Sequence, residues 1–344
     1  MEKKNEDTFK KRKKSNREKG KLQMTERKQI FKQVGTALAV GTLLSFIGEL
    51  IYGIILGLNP EWITNGTIVL MISSISIWIT KYPVAAWMMG KLPSAKNKKV
   101  DLSGKEFVSC IFLTFACMYV FNWLGAGIYS VFRKIIGKEA ISLVAEMLSE
   151  TNYVVIFIFV VIGAPVIEEL FFRKLLIDKT LVCGKKTAVL ASALIFALVH
   201  GNFQQSLYTF FLGLLLAFLY VKTANIVYPI LLHMIINFFG GFLSKYMVEQ
   251  LPIDIMQATE EEIAAALMTN GEGLVGFLLY VAIVVVFTLI GVVLWIKNRK
   301  KFKLEEESKA EENKENSLKV IMANPGMILF SGYYIFMILL LLVI

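Results

Sequence analysis

The sequence predicts an all-α membrane protein, a polytopic bundle of about nine transmembrane helices with a cytoplasmic N-terminus. Hydrophobic residues make up 56% of the chain, which is more than a soluble domain of this length usually carries. Apolar runs of about 20 residues, the length needed to cross a bilayer, recur along the chain. Lys and Arg are concentrated between alternate runs, as expected of cytoplasmic loops. Together these observations predict the fold class.

Each predicted span is an apolar stretch bounded by charged or turn-forming residues. Only Gly201-Asn202 separates the fifth span from the sixth. The predicted spans are residues 34–58, 66–90, 107–132, 152–177, 187–201, 203–222, 226–244, 273–296 and 325–344. Alternation from an inside N-terminus places the C-terminus outside.

The spans and the segments between them divide the chain into five parts. Inside the predicted external loop, Thr259 and Glu262 have the spacing of a capping box, which predicts a short external helix. The parts are a basic cytoplasmic tail (1–33), N-terminal transmembrane helices (34–151), a central segment with the polar motifs (152–244), an acidic external loop (245–272) and C-terminal helices (273–344) with a charged cytoplasmic linker (297–324).

The basic tail accounts for most of the net charge. Thirteen basic and five acidic residues precede Val34, so the tail contributes +8 of the total of +10. Because the tail adjoins the first span, we expect its partner to be anionic lipid of the inner leaflet rather than nucleic acid. The three cysteines show no metal-binding or disulfide spacing. The chain is therefore predicted to be a multi-pass protein of the cell membrane.

Charged residues stand inside the fourth span, in the stretch "GAPVIEELFFRKLL". An ionisable group near the bilayer centre costs at least ~2.5–3.5 kcal/mol, so a compensating partner is expected. Glu169 and Arg173 are i,i+4 neighbours on a helix and are predicted to pair. Glu168 points about 100° away from Glu169 and stays free to face another group. A purely structural triad that fixes the span remains an alternative at this point.

Both histidines of the chain lie within predicted spans. His200 ends the stretch "FALVH", and His233 opens "HMIIN", which places Asn237 one turn further on the same helix face. Counted from the cytoplasmic ends of their spans, Glu168, His200, His233 and Asn237 lie roughly 10–20 Å deep. Three helices can therefore bring these groups to one level of the membrane.

Hydrolysis by an activated water suits this set of side chains. Glu168 can take a proton from water while His200 holds that water. His233 and Asn237 can donate hydrogen bonds to a developing oxyanion. Glu169 with Arg173 would fix the backbone and tune the local field. No G-x-S-x-G motif indicates a nucleophilic serine.

The three motifs resemble those of the CPBP intramembrane proteases, which join type II CAAX prenyl endopeptidases with bacteriocin-processing and self-immunity proteins. "EELFFR" matches E-E-x-x-x-R, "FALVH" matches F-x-x-x-H and "HMIIN" matches H-x-x-x-N, in order and within residues 152–244. The resemblance implies a metal-independent glutamic endopeptidase that acts on a membrane-associated peptide or protein. It implies that Glu168 and His200 activate the water and that His233 and Asn237 form the oxyanion hole. Glu169 and Arg173 would support the site, and no cofactor would be needed.

Three other functions are compatible with parts of the pattern. A zinc protease would use Glu168, Glu169, His200 and His233 as ligands, although the chain has no H-E-x-x-H motif. A non-proteolytic scaffold, bacteriocin-immunity factor or regulator of another membrane protein would need no intact set of site residues. A transporter could use the carboxylates and imidazoles as a proton relay. The sequence specifies neither the substrate nor the oligomeric state.

Two further charges, Glu49 and Lys81, fall within the first and second predicted spans. They can pair with each other or extend their side chains to the membrane interface. The sequence alone gives them no role in the chemistry.

Overall fold

The computed structural model describes residues 2–58, 62, 65–251, 259–301, 304 and 317–343. Regular structure in these ranges is helical throughout, and the all-α class is confirmed. Eight helices within the same ranges are long and apolar enough to cross a membrane. The chain is therefore a polytopic membrane helix bundle.

We number the helices of the described residues in chain order. Several contain π-helical turns, in which a backbone N–H bonds to the carbonyl five residues earlier. The helices are α1 (Glu2–Gly57), α2 (Gly66–Met89), α3 (Gly104–Ile135), α4 (Leu143–Ser149), α5 (Tyr153–Cys183), α6 (Lys185–Val199), α7 (Phe203–Thr223), α8 (Val227–Glu249), α9 (Glu260–Asn298), α10 (Ser317–Met322) and α11 (Pro325–Val343).

Helix α6 differs from the span predicted at residues 187–201. It is 15 residues long, which is short for a helix that must cross the hydrocarbon core unaided. Most of its side chains are buried, and it packs along α7. Helix α6 is thus an interior helix surrounded by longer neighbours.

The predicted boundaries of the basic tail and of the charged linker differ from the structure, because buried apolar side chains lie within both segments. Helix α1 includes the predicted tail, and Phe31 is already fully buried. Near the C-terminus, Val320 and Ile321 of α10 are buried in the core. The charged linker predicted at 297–324 therefore ends before α10, and its residues 302–303 and 305–316 lie outside the described residues.

The short external helix predicted near Thr259 is the first part of the long helix α9. The predicted capping box is present: the Glu262 carboxylate accepts from the Thr259 N–H at 2.8 Å, and the Thr259 hydroxyl accepts from the Glu262 N–H at 3.3 Å. Nothing ends the helix after this cap, so it continues without a break to Asn298. Residues 252–258 of the predicted loop lie outside the described residues.

The connections between helices lie at two opposite ends of the bundle. At one end, which we call the basic end, the 90–103 connection bonds to α5 and α7: Ala95 N–H donates to the Asp178 carbonyl and Val100 N–H to the Thr223 carbonyl, each at 2.8 Å. At the other end, which we call the α4 end, Lys245 donates to the Ser149 carbonyl at 2.6 Å. This sorting agrees with the predicted alternation of the spans.

Two hydrophobic clusters meet in the middle of the bundle. One contains Phe172 of α5 and Phe196 of α6, together with residues of α1, α2, α10 and α11. The other contains Leu216 of α7 and Leu232 of α8, together with residues of α3 and α9. The helices that carry the predicted site residues therefore contribute to both clusters.

Candidate active site

The glutamate pair lies on a short α-helical stretch of α5 between two π-helical turns. Residues Ala164–Glu169 are α-helical, whereas Ile156–Gly163 and Leu170–Leu175 have the wider π geometry. Turns of this kind are frequent at functional sites and at bends in helices. The change of helical pitch sets the directions in which the two glutamates project.

Pro165 leaves one carbonyl of α5 without its helical partner. In the first π turn the Ala164 N–H donates to the Phe159 carbonyl, so the next residue would donate to Val160. Proline has no N–H to give. The Asn237 side-chain amide of α8 donates to the Val160 carbonyl instead, at 2.8 Å. Asn237 is therefore fixed against α5, and its second N–H is not used by this bond.

Glu169 and Arg173 form the predicted ion pair in the interior of the protein. Arg173 Nε lies 2.9 Å from Glu169 Oε2, and both side chains are fully buried. The two atoms are close but not aligned as a hydrogen bond, and neither has another hydrogen-bond partner in the described residues. Arg173 Nη1 donates to the Ser192 hydroxyl at 3.2 Å. The guanidinium also stacks over the Phe196 ring, 4.5 Å from its centroid.

His233 lies between the two glutamates. Its Nδ1 is 2.9 Å from Glu169 Oε1, and its Nε2 is 3.9 Å from Glu168 Oε2. A carboxylate can only accept, so Nδ1 carries a hydrogen and donates it to Glu169. Nε2 then carries a hydrogen only when the ring is protonated. Unlike Glu169, the Glu168 side chain is 19% exposed and is therefore not enclosed by protein on every side.

His200 joins this group through an aromatic ring. The ring of Phe196 is 4.8 Å from that of His200 and 5.8 Å from that of His233, both edge-on. His200 Nδ1 lies 2.7 Å from the Phe196 carbonyl, an acceptor, so Nδ1 carries the hydrogen and Nε2 has a free lone pair. No hydrogen bond joins His200 directly to Glu168 within the described part of the chain.

Ser192 is a site residue that the sequence analysis did not identify, and it lies one helical turn before Phe196, the first residue of the F-x-x-x-H motif. With His200 they occupy positions i, i+4 and i+8 of α6 and its last turn, and so share one helix face. The Ser192 hydroxyl donates to the Phe172 carbonyl at 2.9 Å while it accepts from Arg173. Ser192 lies four residues before the first residue of the F-x-x-x-H motif, and this helical spacing was the signal in the sequence that could have revealed its role.

Lys81 of α2 is a buried cation that has no carboxylate partner among the described ion pairs. Its Nζ donates to the Tyr334 hydroxyl at 2.7 Å and lies over the rings of Tyr82 and Tyr334, 5.6 and 5.1 Å from their centroids. Glu49, the possible partner, instead accepts from a serine one turn earlier on α1.

The geometry also bears on the residues that could hold a zinc ion. Both oxygens of Glu169 face protein cations, and His233 directs Nδ1 at Glu169. Among the described residues, no three His, Cys, Asp or Glu side chains are arranged as a metal-binding group. The donor set that remains, Glu168 with one nitrogen of each imidazole, has the composition of some catalytic zinc sites, but the described side chains do not converge as such a group.

Comparison with known proteins supports the resemblance inferred from the three motifs. Residues 150–239 match the family described as type II CAAX prenyl endopeptidase Rce1-like, which confirms the resemblance for this part of the chain. The match to this family supports the function of a membrane endopeptidase at the level of the family.

Two curated relatives share sequence with this chain. The chain is 28% identical to the membrane-embedded CAAX protease MroQ of Staphylococcus aureus (strain USA300) over 180 residues, which cover 50% of this chain and 70% of MroQ. It is 33% identical to the UPF0177 protein YxdF of Lactococcus lactis subsp. lactis (strain IL1403) over 84 residues, which cover 24% of this chain and 46% of YxdF. No solved structure is a significant match.

Proposed function

We propose that this protein is an intramembrane endopeptidase of the cell membrane that hydrolyses a peptide bond with a water activated by Glu168. The observation that carries the proposal is the contrast between the two glutamates. Glu169 is fully buried and held by Arg173 and His233, whereas the neighbouring Glu168 is partly exposed and keeps a carboxylate free. A carboxylate such as Glu168, which is partly exposed and lies beside the fixed Glu169–Arg173 pair, can act as a general base.

The proposed reaction requires a proton on each nitrogen of His233. Nδ1–H already donates to Glu169, so only an imidazolium has an Nε2–H that can donate to an incoming group. In the proposed reactive state, Glu168 is ionised and His233 is that imidazolium.

In the proposed reaction, water lies between Glu168 and the Nε2 lone pair of His200. Glu168 takes a proton from this water as its oxygen attacks the scissile carbonyl carbon. The resulting oxyanion accepts hydrogen bonds from His233 Nε2–H and from the second N–H of Asn237. Glu168 then gives its proton to the leaving nitrogen as the C–N bond breaks, which restores the resting charges.

The proposal extends to the partners of the protein. The substrate would be a membrane-associated peptide or protein, and the basic N-terminal segment would contact anionic lipid. No metal or other cofactor takes part in the proposed reaction. If exhaustive chelation were to abolish cleavage, and zinc alone restored it, the zinc alternative would replace this mechanism.

A comparison of membranes tests the function directly. Cells that carry the wild-type protein or Glu168→Gln at equal levels are analysed for peptides that differ between the two. We expect an uncut precursor to accumulate with Glu168→Gln and its fragments to be present only with the wild type. Identical peptide patterns in cells that make the wild-type protein at a high level would contradict proteolysis.

Asn237→Ala is expected to lower turnover by ~100-fold or more, because one oxyanion donor is lost. KM should change little, since that bond strengthens mainly in the transition state. His233→Ala should show the same pattern, and the double variant should lose less than the two effects multiplied. Under the zinc alternative, Asn237→Ala would be mild and His233→Ala would lose bound metal.

A second substitution separates this role of Asn237 from its bond to Val160. Pro165→Ala restores a backbone N–H that can satisfy the Val160 carbonyl. In that background, Asn237→Ala leaves no unsatisfied carbonyl, so a remaining loss of turnover reports the oxyanion role. Recovery of full turnover in the double variant would show that Asn237 acts only on the fold of α5.

A further inference from the structure

The connection between α6 and α7 lies inside the bundle, although the sequence predicted it at the surface. A Cβ on Gly201 would lie 3.8 Å from the ring of Tyr334. Tyr334 stands nine residues before the end of α11, or roughly 14 Å along that helix. That end of α11 belongs to the α4 end of the bundle, since Lys138 donates to the Val343 carbonyl there. The connection is therefore well below the α4 end.

Contacts with α3 indicate the same depth independently. A Cβ on Gly125 would lie 3.1 Å from the Gln204 carbonyl, in the first turn of α7. Gly125 stands ten residues before the end of α3, or roughly 15 Å. Because α6 and α7 stop short at this level, they leave space between themselves and the α4 end.

A cavity of about 260 Å³ occupies this space. Its rim includes Ser149, and Lys245 pairs with Glu249 there at 2.8 Å. Ser149 is exposed. The residues lining the deeper part are uncharged, and they include Asn122, Gln204, Gln205, Tyr208 and Gly241. Carboxamides such as these can both donate to and accept from the backbone of an extended peptide.

Two walls of the cavity lead toward the candidate active site. Gly241 is one helical turn beyond Asn237 on α8 and has no side chain to obstruct the passage. On the opposite wall, Gln205 donates to the Tyr208 hydroxyl at 2.9 Å. On the wall formed by α8, a Cβ at Gly241 would lie 3.7 Å from Val160, whose carbonyl accepts from the Asn237 side chain. The cavity thus extends from the α4 end to the part of α8 that lies one turn from Asn237.

We propose that this cavity admits the substrate, so that an extended peptide segment reaches Glu168 from the α4 end and not from the basic end. Its lining mixes carboxamides with apolar side chains such as Met118 and Leu148, and it fits a segment with small or uncharged side chains around the scissile bond. By the predicted alternation of spans, the α4 end faces the outside of the cell, and the substrate would present its cleavage site there. This inference rests on the proposed endopeptidase function.

Thiol labelling tests the position of the entrance independently of catalysis. The three native cysteines are replaced by serine, and single cysteines are placed at Gln204 in the cavity, at the exposed Ser149 of the α4 end and at the exposed Ser94 of the basic end. A membrane-impermeant maleimide is applied to sealed cells and to inverted vesicles. We expect Gln204→Cys to label from the same side as Ser149→Cys and from the side opposite to Ser94→Cys.

Each labelling outcome decides the proposal. Labelling of Gln204→Cys only from the side of Ser94→Cys would overturn it, and so would the absence of labelling from both sides. If cells with the wild-type protein and with Glu168→Gln gave identical peptide patterns while Gln204→Cys labelled as expected, the proposed function would fail and the position of the cavity would stand. The two failures are therefore distinguishable.

A blocking variant links the cavity to turnover. A Cβ at Gly241 would meet its neighbours only at 3.7 and 4.0 Å, so Gly241→Leu fills the cavity without a backbone clash at Cβ. We expect cleavage to fall at least 10-fold at unchanged folded protein. Gly127→Leu, at an exposed glycine of α3 with open space around it, is the matched control and should be neutral. Normal cleavage by folded Gly241→Leu would contradict entry through this cavity.

Discussion

Glu168→Gln is expected to abolish cleavage while the protein stays folded. The amide keeps the shape of the side chain but cannot take a proton from water, and general-base catalysis contributes about 100- to 10,000-fold to a reaction rate. Because Glu168 is partly exposed and lies 3.9 Å from His233 Nε2 without contacting Arg173 in the described ion pairs, the neutral amide should not disturb the buried Glu169–Arg173 pair.

The measurement is cleavage of the substrate identified from the membrane comparison, by purified variants in lipid, normalised to folded protein. Glu168→Asp keeps a carboxylate on a shorter stem and should retain part of the activity. Glu146→Gln, an exposed residue of α4, is the matched control for the same chemical change and should behave as the wild type. Full turnover by Glu168→Gln would exclude Glu168 as the base.

Arg173→Ala is expected to lower the amount of folded protein in the membrane. The substitution removes the guanidinium from a fully buried carboxylate, and breaking a buried ion pair on one side costs about 3–5 kcal/mol. It also deletes the stacking on Phe196 and leaves the Ser192 hydroxyl without its donor. His233 would remain as the only described partner of Glu169.

The folded fraction is measured by thermal unfolding in detergent and by the protein level in membranes. Lys174→Ala, the exposed neighbour on the same helix, is the control and should be neutral. If the uncompensated charge is the cause, the double variant Arg173→Ala, Glu169→Gln should be more stable than Arg173→Ala alone. Equal stability of Arg173→Ala and Lys174→Ala would show that the pair does not hold the fold.

The features predicted correctly from the sequence depend on short separations along one helix. The Glu169–Arg173 pair is present because residues four apart share a helix face whatever surrounds them. The Thr259–Glu262 capping box formed for the same reason, although its helix proved to be the start of α9. Likewise, apolar runs of sufficient length formed the spanning helices.

The contacts that position the candidate site join residues far apart in the chain, and the sequence did not predict them. His233 binds Glu169, and Asn237 binds the Val160 carbonyl, across 64 and 77 residues. The partner of Lys81 is Tyr334 of α11 and not Glu49. Such distances depend on how helices pack side by side, and no fixed spacing in the sequence encodes that packing.

The sequence by itself determined that this is a helical membrane protein and which polar side chains must be compensated inside it, because hydrophobic length and helical periodicity are local properties. Helical spacing also predicted that Glu169 pairs with Arg173 and that Glu168 stays free. Only the tertiary structure decided that His233 binds Glu169 and that Asn237 satisfies the Val160 carbonyl, since these contacts join separate helices. It also decided the depth of the α6–α7 connection, which the length of an apolar run does not reveal. That depth results from a short helix enclosed by longer ones, and it opens the cavity toward the α4 end.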